Sequence, residues 1–415
     1  MVLNYIWISF FIIAFLVTIL KTISGDIELF SQVINSIFER AELGFKLSLG
    51  LTGIMALWLG IMRIGEKGGA IRILSKIFAP LFEKLFPELP KDSKAHGAII
   101  MNISANMLGL DNAATPLGLK AMDELQKVNK DKSKASNAQI LFLVLNTSGL
   151  TLIPTSIIAL RATAMAGNNI VGNPTDIFIP ILIATYFSTI AGLIFVSIAQ
   201  KINLFQKTIL AYLGGGTALI SLLIWYLANN KEQIEAISSI ASGAFIFSFI
   251  IGFILLGIRQ KINIYEEFIE GAKDGFKVAV KIIPYLIAML CAIGAFTTSG
   301  AMSYIIHGLD LFFSLFFSDT RFVDALPTAL MKPLSGGGAR GMMVESWGEN
   351  AINVNSFIGK LTSTLQGSTE TTFYVLAVYF GSVGIKNTRY AIVAGLFADL
   401  IGIIAAITIA YLFWG

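Results

Sequence analysis

Seven uninterrupted apolar runs decide what this chain can become. They cover roughly 5–20, 47–62, 177–198, 208–227, 235–258, 278–295 and 390–414. A hydrocarbon core ~30 Å thick is crossed by about 20 apolar residues in a helix. Backbone in lipid must satisfy its own polar groups, which a helix does within one segment. Composition agrees, with 55% of residues hydrophobic and 13% charged, against about 25% charged in ordinary soluble domains. The expected fold is an all-α polytopic membrane protein. The first run, "MVLNYIWISFFIIAFLVTILK", lacks a basic leader region and a small-residue cleavage site, so it is expected to stay as a span.

Two further runs are interrupted, 136–165 near "NTSGLTLIP" and 356–384 at "QGSTETT". They are expected to be broken spans. Two mixed segments, 94–125 and 323–347, read as pairs of half-helices meeting at Gly/Asn/Ser-rich tips. Re-entrant hairpins are the expectation, with pairs of surface helices as the alternative.

An internal repeat organises these pieces. "ERAELGFK" at Glu39–Lys46 returns 231 residues later as "EGAKDGFK" at Glu270–Lys277. The same offset pairs Gly69 with Gly300, Phe82 with Phe313, Ala98 with Ala329 and Ser104 with Ser335, so the hairpins are expected to correspond without a gap. At shorter offsets "LNTSGLT" aligns with "LQGSTET", Phe187 with Phe397 and Gly192 with Gly402. Each repeat then holds a span, an amphipathic segment, a second span, another amphipathic segment, a hairpin, a broken span and a last span. The division is 1–200, a linking span at 201–230, and 231–415. Four crossings plus one linking span is an odd number, which turns the second repeat upside down. Inverted repeats with broken helices are a transporter architecture.

Charge gives the same orientation. Arg63, Lys67, Arg72, Lys76, Lys84, Lys91, Lys94, Lys127, Lys130, Lys132 and Lys134 flank the first hairpin, while Arg321 and Lys360 flank the second. Basic loops face the cytoplasm. The expectation is a bacterial plasma-membrane protein with nine crossings, its N-terminus cytoplasmic and its hairpins entering from opposite faces.

Polar groups within the apolar regions are the candidate site. The first repeat offers Asn102, Asn106, Asp111, Asn112 and Thr115 in its hairpin, and Asn146, Thr147, Ser148 and Thr151 in its broken span. The second offers Ser335 and Arg340 around "SGGGARG", and Gln366, Ser368, Thr371 and Glu370 in "QGSTETT". On one helix Ser363, Gln366, Gly367, Glu370 and Tyr374 would share a face. A charge at mid-membrane costs roughly 2.5–3.5 kcal/mol even on lenient scales and is kept where it pairs or works. Glu370 and Asp399 are thus candidates for coupling to a proton or sodium. Arg340 is a candidate for solute contact, or for a buried pair with Glu370. Amides and hydroxyls facing a few carboxylates suit a polar organic solute better than a hard metal cation. Cys291 is the only cysteine and His96 and His307 lie far apart, so no metal site or cofactor is expected. No nucleophile–base set is visible, so an enzyme is not expected either. A net charge of +4 without basic–aromatic runs does not call for nucleic acid. The expected partners are a small solute and the lipid bilayer, with homo-oligomerisation left open.

"NMLGLDNAATPLGLKAMDEL" resembles the signature of bacterial spore maturation protein A, and "LPTALMKPLSGGGARGMM" with "STLQGSTETTFYVLAVYFGSVGIKNTRYA" resembles that of spore maturation protein B. The chain looks like a fusion of the two along nearly its full length. Both carry a nucleoside-recognition, or gate, domain similar to parts of concentrative nucleoside transporters and ferrous-iron transporter gates. The resemblance implies a transporter-like membrane fold and a nucleoside-like solute. The binding motifs of the nucleoside transporters have no residue-by-residue match here, and a spore role does not follow from the fusion. The rival reading is a non-transporting scaffold or maturation factor of the cell envelope.

Overall fold

Described over residues 2–90, 92–109, 111–230 and 233–415, the computed structural model is helical throughout, and among the described residues no β-strand forms beyond an isolated bridge between Lys134 and Asn387. The helices are α1 (Val2–Ile23), α2 (Leu29–Lys67), α3 (Ala70–Leu85), α4 (Lys94–Met107), α5 (Asp111–Val128), α6 (Asn137–Ser148), α7 (Thr155–Gly167), α8 (Phe178–Gln200) and α9 (Lys207–Asn229). They continue as α10 (Ile234–Arg259), α11 (Ile264–Thr298), α12 (Ala301–Phe313), α13 (Leu326–Met331), α14 (Gly336–Ser346), α15 (Phe357–Gly367), α16 (Thr372–Ser382) and α17 (Ala391–Trp414). Seven of these are long and apolar enough to cross a membrane, and they contain the seven apolar runs. Both interrupted runs are broken where the hydroxyl-rich stretches stand, as α6/α7 and α15/α16.

The amphipathic segment expected ahead of the second span of each repeat is not separate. It is the first half of α2, with 39 residues, and of α11, with 35. At 1.5 Å per residue these helices run to about 50–60 Å, well beyond a ~30 Å core. Nothing in "ERAELGFK" or "EGAKDGFK" stops a helix, and Glu42–Lys46 and Glu270–Lys273 pair one turn apart along it.

Two glycines paired by the 231-residue offset have the same local geometry. After α2 and after α11 the chain turns at Gly69 and Gly300, with φ of 87° and 86°, a left-handed conformation that only glycine adopts freely. The gap-free match fails at the hairpins. Helix α4 has 14 residues, but α13 has 6 and follows a short 3-10 turn at Arg321–Ala325. Ser104 therefore lies inside α4, while Ser335 caps the next helix, α14.

By contacts the chain forms two compact units. The first holds 1–56, 156–174 and 274–366, and the second holds 57–155, 175–273 and 367–415. Two of the five boundaries fall at the helix breaks, so each unit contains one half of each broken span, and two more fall within α2 and α11. In the second unit Phe142, Ile99, Leu125 and Phe380 belong to the main core. In the first, Met289, Ile293, Phe296 and Met342 pack with Phe10 of α1.

Equivalent helices pack reciprocally within each unit. In the second, a Cβ at Gly192 would lie 3.2 Å from Ala398, and one at Gly402 would lie 3.2 Å from Ser188. The repeat pairs Gly192 with Gly402 and, at the same offset, Ser188 with Ala398. Helices α8 and α17 are thus antiparallel, each presenting the same small-residue patch to the other, as in a two-fold interface. In the first unit a Cβ at Gly44 would lie 3.0 Å from Ile287 and one at Gly275 would lie 2.5 Å from the Ala56 backbone. This is the repeat offset again, between α2 and α11. The recurrent motif keeps its glycine because the partner helix crosses there.

Candidate functional site

The first cluster lies in the second unit, where α4, α6 and α16 converge. Asn106 Nδ2 donates to Asn146 Oδ1 at 2.8 Å and to Asn102 Oδ1 at 3.4 Å. Asn102 Nδ2 donates to the Ala114 carbonyl at 2.8 Å and to the Tyr379 hydroxyl at 3.4 Å. Tyr379 in turn donates to Asn146 Oδ1 at 3.4 Å, and Asn146 Nδ2 closes on the Phe142 carbonyl at 2.8 Å. Tyr379 stacks on Phe142 with centroids 5.6 Å apart, and Gly118 of α5 leaves the space its hydroxyl occupies. No donor among the described residues reaches Asn106 Oδ1, so the network keeps one acceptor in reserve.

Beside it the two helix breaks meet. Gly149 ends α6 with φ 58°, and its missing side chain admits Glu370, whose N–H donates to the Thr147 carbonyl at 2.8 Å. Asp399 is 2% exposed on α17 and accepts from Thr372 at 2.7 Å, at the first residue of α16. Ser188 ties α8 to the Ala398 carbonyl at 2.9 Å.

The remaining expected residues of this unit sit close by with their hydroxyls mostly engaged. Thr147, Ser148 and Thr151 bond backbone carbonyls of their own segment. Ser368 and Thr371 are buried and Thr115 is half-buried. Asp111 and Asn112 begin α5, but their side chains lie outside the described residues.

The second cluster lies in the first unit. Ser335 caps α14, its hydroxyl accepting from the Gly338 N–H at 3.0 Å. Gln366 is 4% exposed and donates from Nε2 to the Gly336 carbonyl at 3.2 Å, while its Oε1 has no partner among the described residues. Arg340 is half-buried on the next turn of α14.

Two expectations need correction. Ser363, Gln366, Gly367, Glu370 and Tyr374 do not share one helical face, because α15 ends at Gly367. Glu370 and Tyr374 are exposed, whereas Ser363 and Gln366 are buried. Glu370 is therefore not a buried carboxylate: the break turns it out of the packed helices.

The sequence reading missed three groups. Arg161 on α7 is 0% exposed and donates to the Val354 carbonyl at 2.8 Å, the Pro174 carbonyl at 3.3 Å and Asn355 Oδ1 at 3.2 Å. Arg40 on α2 pairs with Glu345 on α14 at 2.7 Å. Tyr379 is the third. No local spacing marks these residues as partners of residues far away in sequence.

Loop pairings complete the geometry. In the second unit the segment before α6 bonds the segment after α16, through Ala135 N–H to the Asn387 carbonyl at 2.9 Å and Gln126 to the Val383 carbonyl at 3.1 Å. In the first unit the segment before α15 bonds the segment after α7, with Asn355 donating to the Val171 carbonyl at 3.1 Å. The pattern is again reciprocal between repeats.

A family profile described as nucleoside recognition (Gate) matches residues 48–164 and 279–386, more than half of the chain, and its two stretches begin at the repeat offset. The chain belongs to the Gate family. Two curated relatives share it in different parts. Spore maturation protein A of Bacillus subtilis (strain 168) is 39% identical over 191 residues, covering 46% of this chain and 92% of that protein. Spore maturation protein B of the same organism is 45% identical over 166 residues, covering 40% of this chain and 90% of that protein. This Gate chain is consistent with a fusion of an A-like and a B-like part.

Proposed function

We propose that this Gate-family protein moves a small polar solute, nucleoside-like in its donors and acceptors, across the bacterial plasma membrane. The solute leaves chemically unchanged, so the protein is a carrier and not an enzyme. The observation that carries the reading is Gln366: an almost fully buried amide with an unused acceptor, held at the N-terminus of the α14 half-helix. A buried polar atom without a partner costs about 1–3 kcal/mol, and half-helix N-termini at membrane depth are solute-binding elements in transporters. Glu370, exposed at the break, and Asp399, buried behind it, are the proposed groups for proton or sodium coupling.

The inverted, nine-crossing topology with a cytoplasmic N-terminus is part of this proposal. The antiparallel reciprocal packing of α8 with α17 and of α2 with α11 supports it, because a two-fold axis across spanning helices lies in the membrane plane. So do the loop pairings. Lysine-bearing 129–136 joins 383–390, with Lys386 and Arg389, while 168–177 and 347–356 contain no lysine or arginine. The names of the relatives favour a second reading, a maturation factor of the cell envelope that transports nothing. Uptake separates the two. Proteoliposomes of the full chain, given tritiated uridine and adenosine under proton and sodium gradients, should accumulate solute above empty liposomes. Binding and uptake both absent across a nucleoside panel would favour the maturation factor.

A further inference from the structure

A cavity of about 230 Å³ lies within the second unit, enclosed by α3, α4, α6, α8 and α9. Its wall is largely apolar and includes Phe82, Ile103, Leu145, Leu193 and Leu213. Polar groups also line it at Asn106, Thr189, Tyr186 and Tyr212, and the two tyrosine hydroxyls are already bonded, Tyr186 to Thr217 and the Leu213 carbonyl and Tyr212 to the Ile77 carbonyl. The Thr189 hydroxyl oxygen is buried without a partner among the described residues, and Asn106 Oδ1 has no donor there. A dry cavity of ~150 Å³ lined by Leu, Ile and Phe takes benzene or xenon, whereas water needs two to four polar partners. This cavity is larger and nearly as apolar, so it suits neither a row of waters nor a multiply polar solute. Its outer wall is α9, the linking span, whose Leu219 and Leu222 are exposed on the side that a bilayer would cover. Tyr186 of α8 fastens that wall through Thr217 at 2.7 Å and the Leu213 carbonyl at 3.1 Å.

We infer that this cavity binds one medium-chain amphiphile, its hydrocarbon body against the apolar wall and a single hydroxyl or protonated carboxyl bonded to Asn106 Oδ1 or the Thr189 hydroxyl. The site is separate from the polar-solute reading and does not depend on transport.

The test uses the full-length protein in nanodiscs with 3-azioctanol, a medium-chain alcohol carrying a photoreactive diazirine. Peptide mapping should find label on inward positions such as Leu145 and Ile103, and 1-octanol should protect them while octane protects them at least about threefold less well. Thr189→Val removes one hydrogen-bonding group at nearly constant shape and should weaken labelling about three- to tenfold, the equivalent of one hydrogen bond. Leu193→Trp, or Ile190→Phe if the first variant melts early, should fill the space and abolish the inward label. The inference is overturned by label confined to outward positions such as Leu219 and Leu222, or by inward label that survives both filled variants. Equal inward labelling by phosphatidylcholine with the diazirine in its acyl chain, together with equal protection by octane, would also overturn it and make the cavity a sink for bulk lipid chains.

Discussion

Around the first hairpin, Asn146 of α6 takes a hydrogen bond from Asn106 of α4; around the second, Gln366 of α15 gives one to Gly336 at the start of α14. The two amides hold the same place in the repeat, and each reaches into the hairpin of its own repeat. Their surroundings differ. Asn146 sits in a neutral network of asparagines and a tyrosine with most of its capacity used. Gln366 keeps its carbonyl oxygen unpartnered among the described residues, in the unit that also contains the Arg40–Glu345 pair and the fully buried Arg161. One scaffold thus serves two chemistries: amide cross-linking in one hairpin, charge and spare hydrogen-bonding capacity in the other.

The largest expected effect is on the charged side. Glu345→Gln leaves the Arg40 guanidinium without its carboxylate in a mostly buried site, and breaking such a pair costs roughly 3–5 kcal/mol. Melting in detergent should show a clear loss, and the double variant Arg40→Met/Glu345→Gln should regain most of it. A single variant that melts like the parent would remove the charged side from the comparison.

A smaller effect tests the shared scaffold. Gly275→Ala puts a methyl group 2.5 Å from the backbone at Ala56, which cannot move aside, whereas Gly44→Ala meets Ile287 at 3.0 Å, where a smaller shift suffices. Overpacking costs about 1–3 kcal/mol, and Gly275→Ala should lie near the top of that range with Gly44→Ala near the bottom. Equal and negligible losses would mean that the two helices do not cross at these glycines.

The two amides should then part company. Asn146→Leu strands Asn106 and Tyr379 and should cost about 1–2 kcal/mol, the scale of polar contacts within membranes. Gln366→Leu gives up one hydrogen bond of 3.2 Å and should cost less than about 1 kcal/mol, yet abolish solute binding or uptake. A Gln366→Leu protein with parental uptake would make that amide structural. The smallest stability change is expected from Glu370→Gln, because the side chain is exposed. Its melting should match the parent while the response of uptake to an imposed ion gradient disappears. Unchanged gradient dependence would exclude Glu370 as the coupling group.

Much of this fold was legible in the order of residues. Apolar runs of membrane length located the seven long helices, and the clusters of hydroxyls and glycines located both helix breaks. The repeated "GFK" motif pointed to α2 and α11, but not to their fused length, since amphipathicity marks where polarity changes and not where a helix ends. The hairpin gap was hidden because scattered alanine and serine matches continue past it by chance. Asn102, Asn106 and Asn146 stood out as amides in apolar runs and do meet. Arg161, Glu345 and Tyr379 did not, because their importance comes from partners 193 to 305 residues away. Glu370 looked buried from composition alone, and only the turn of the chain at Gly367 exposes it.

The central claim is that the two repeats are related by a two-fold axis in the membrane plane. Cysteine accessibility tests it most directly. Lys130→Cys, Lys386→Cys and Ile352→Cys, each in a Cys291→Ala background, would be treated with a membrane-impermeant maleimide in right-side-out and inverted vesicles. The account predicts that positions 130 and 386 label from the cytoplasmic face and position 352 only from the opposite face. Labelling of 352 from the same face as 130 would contradict it.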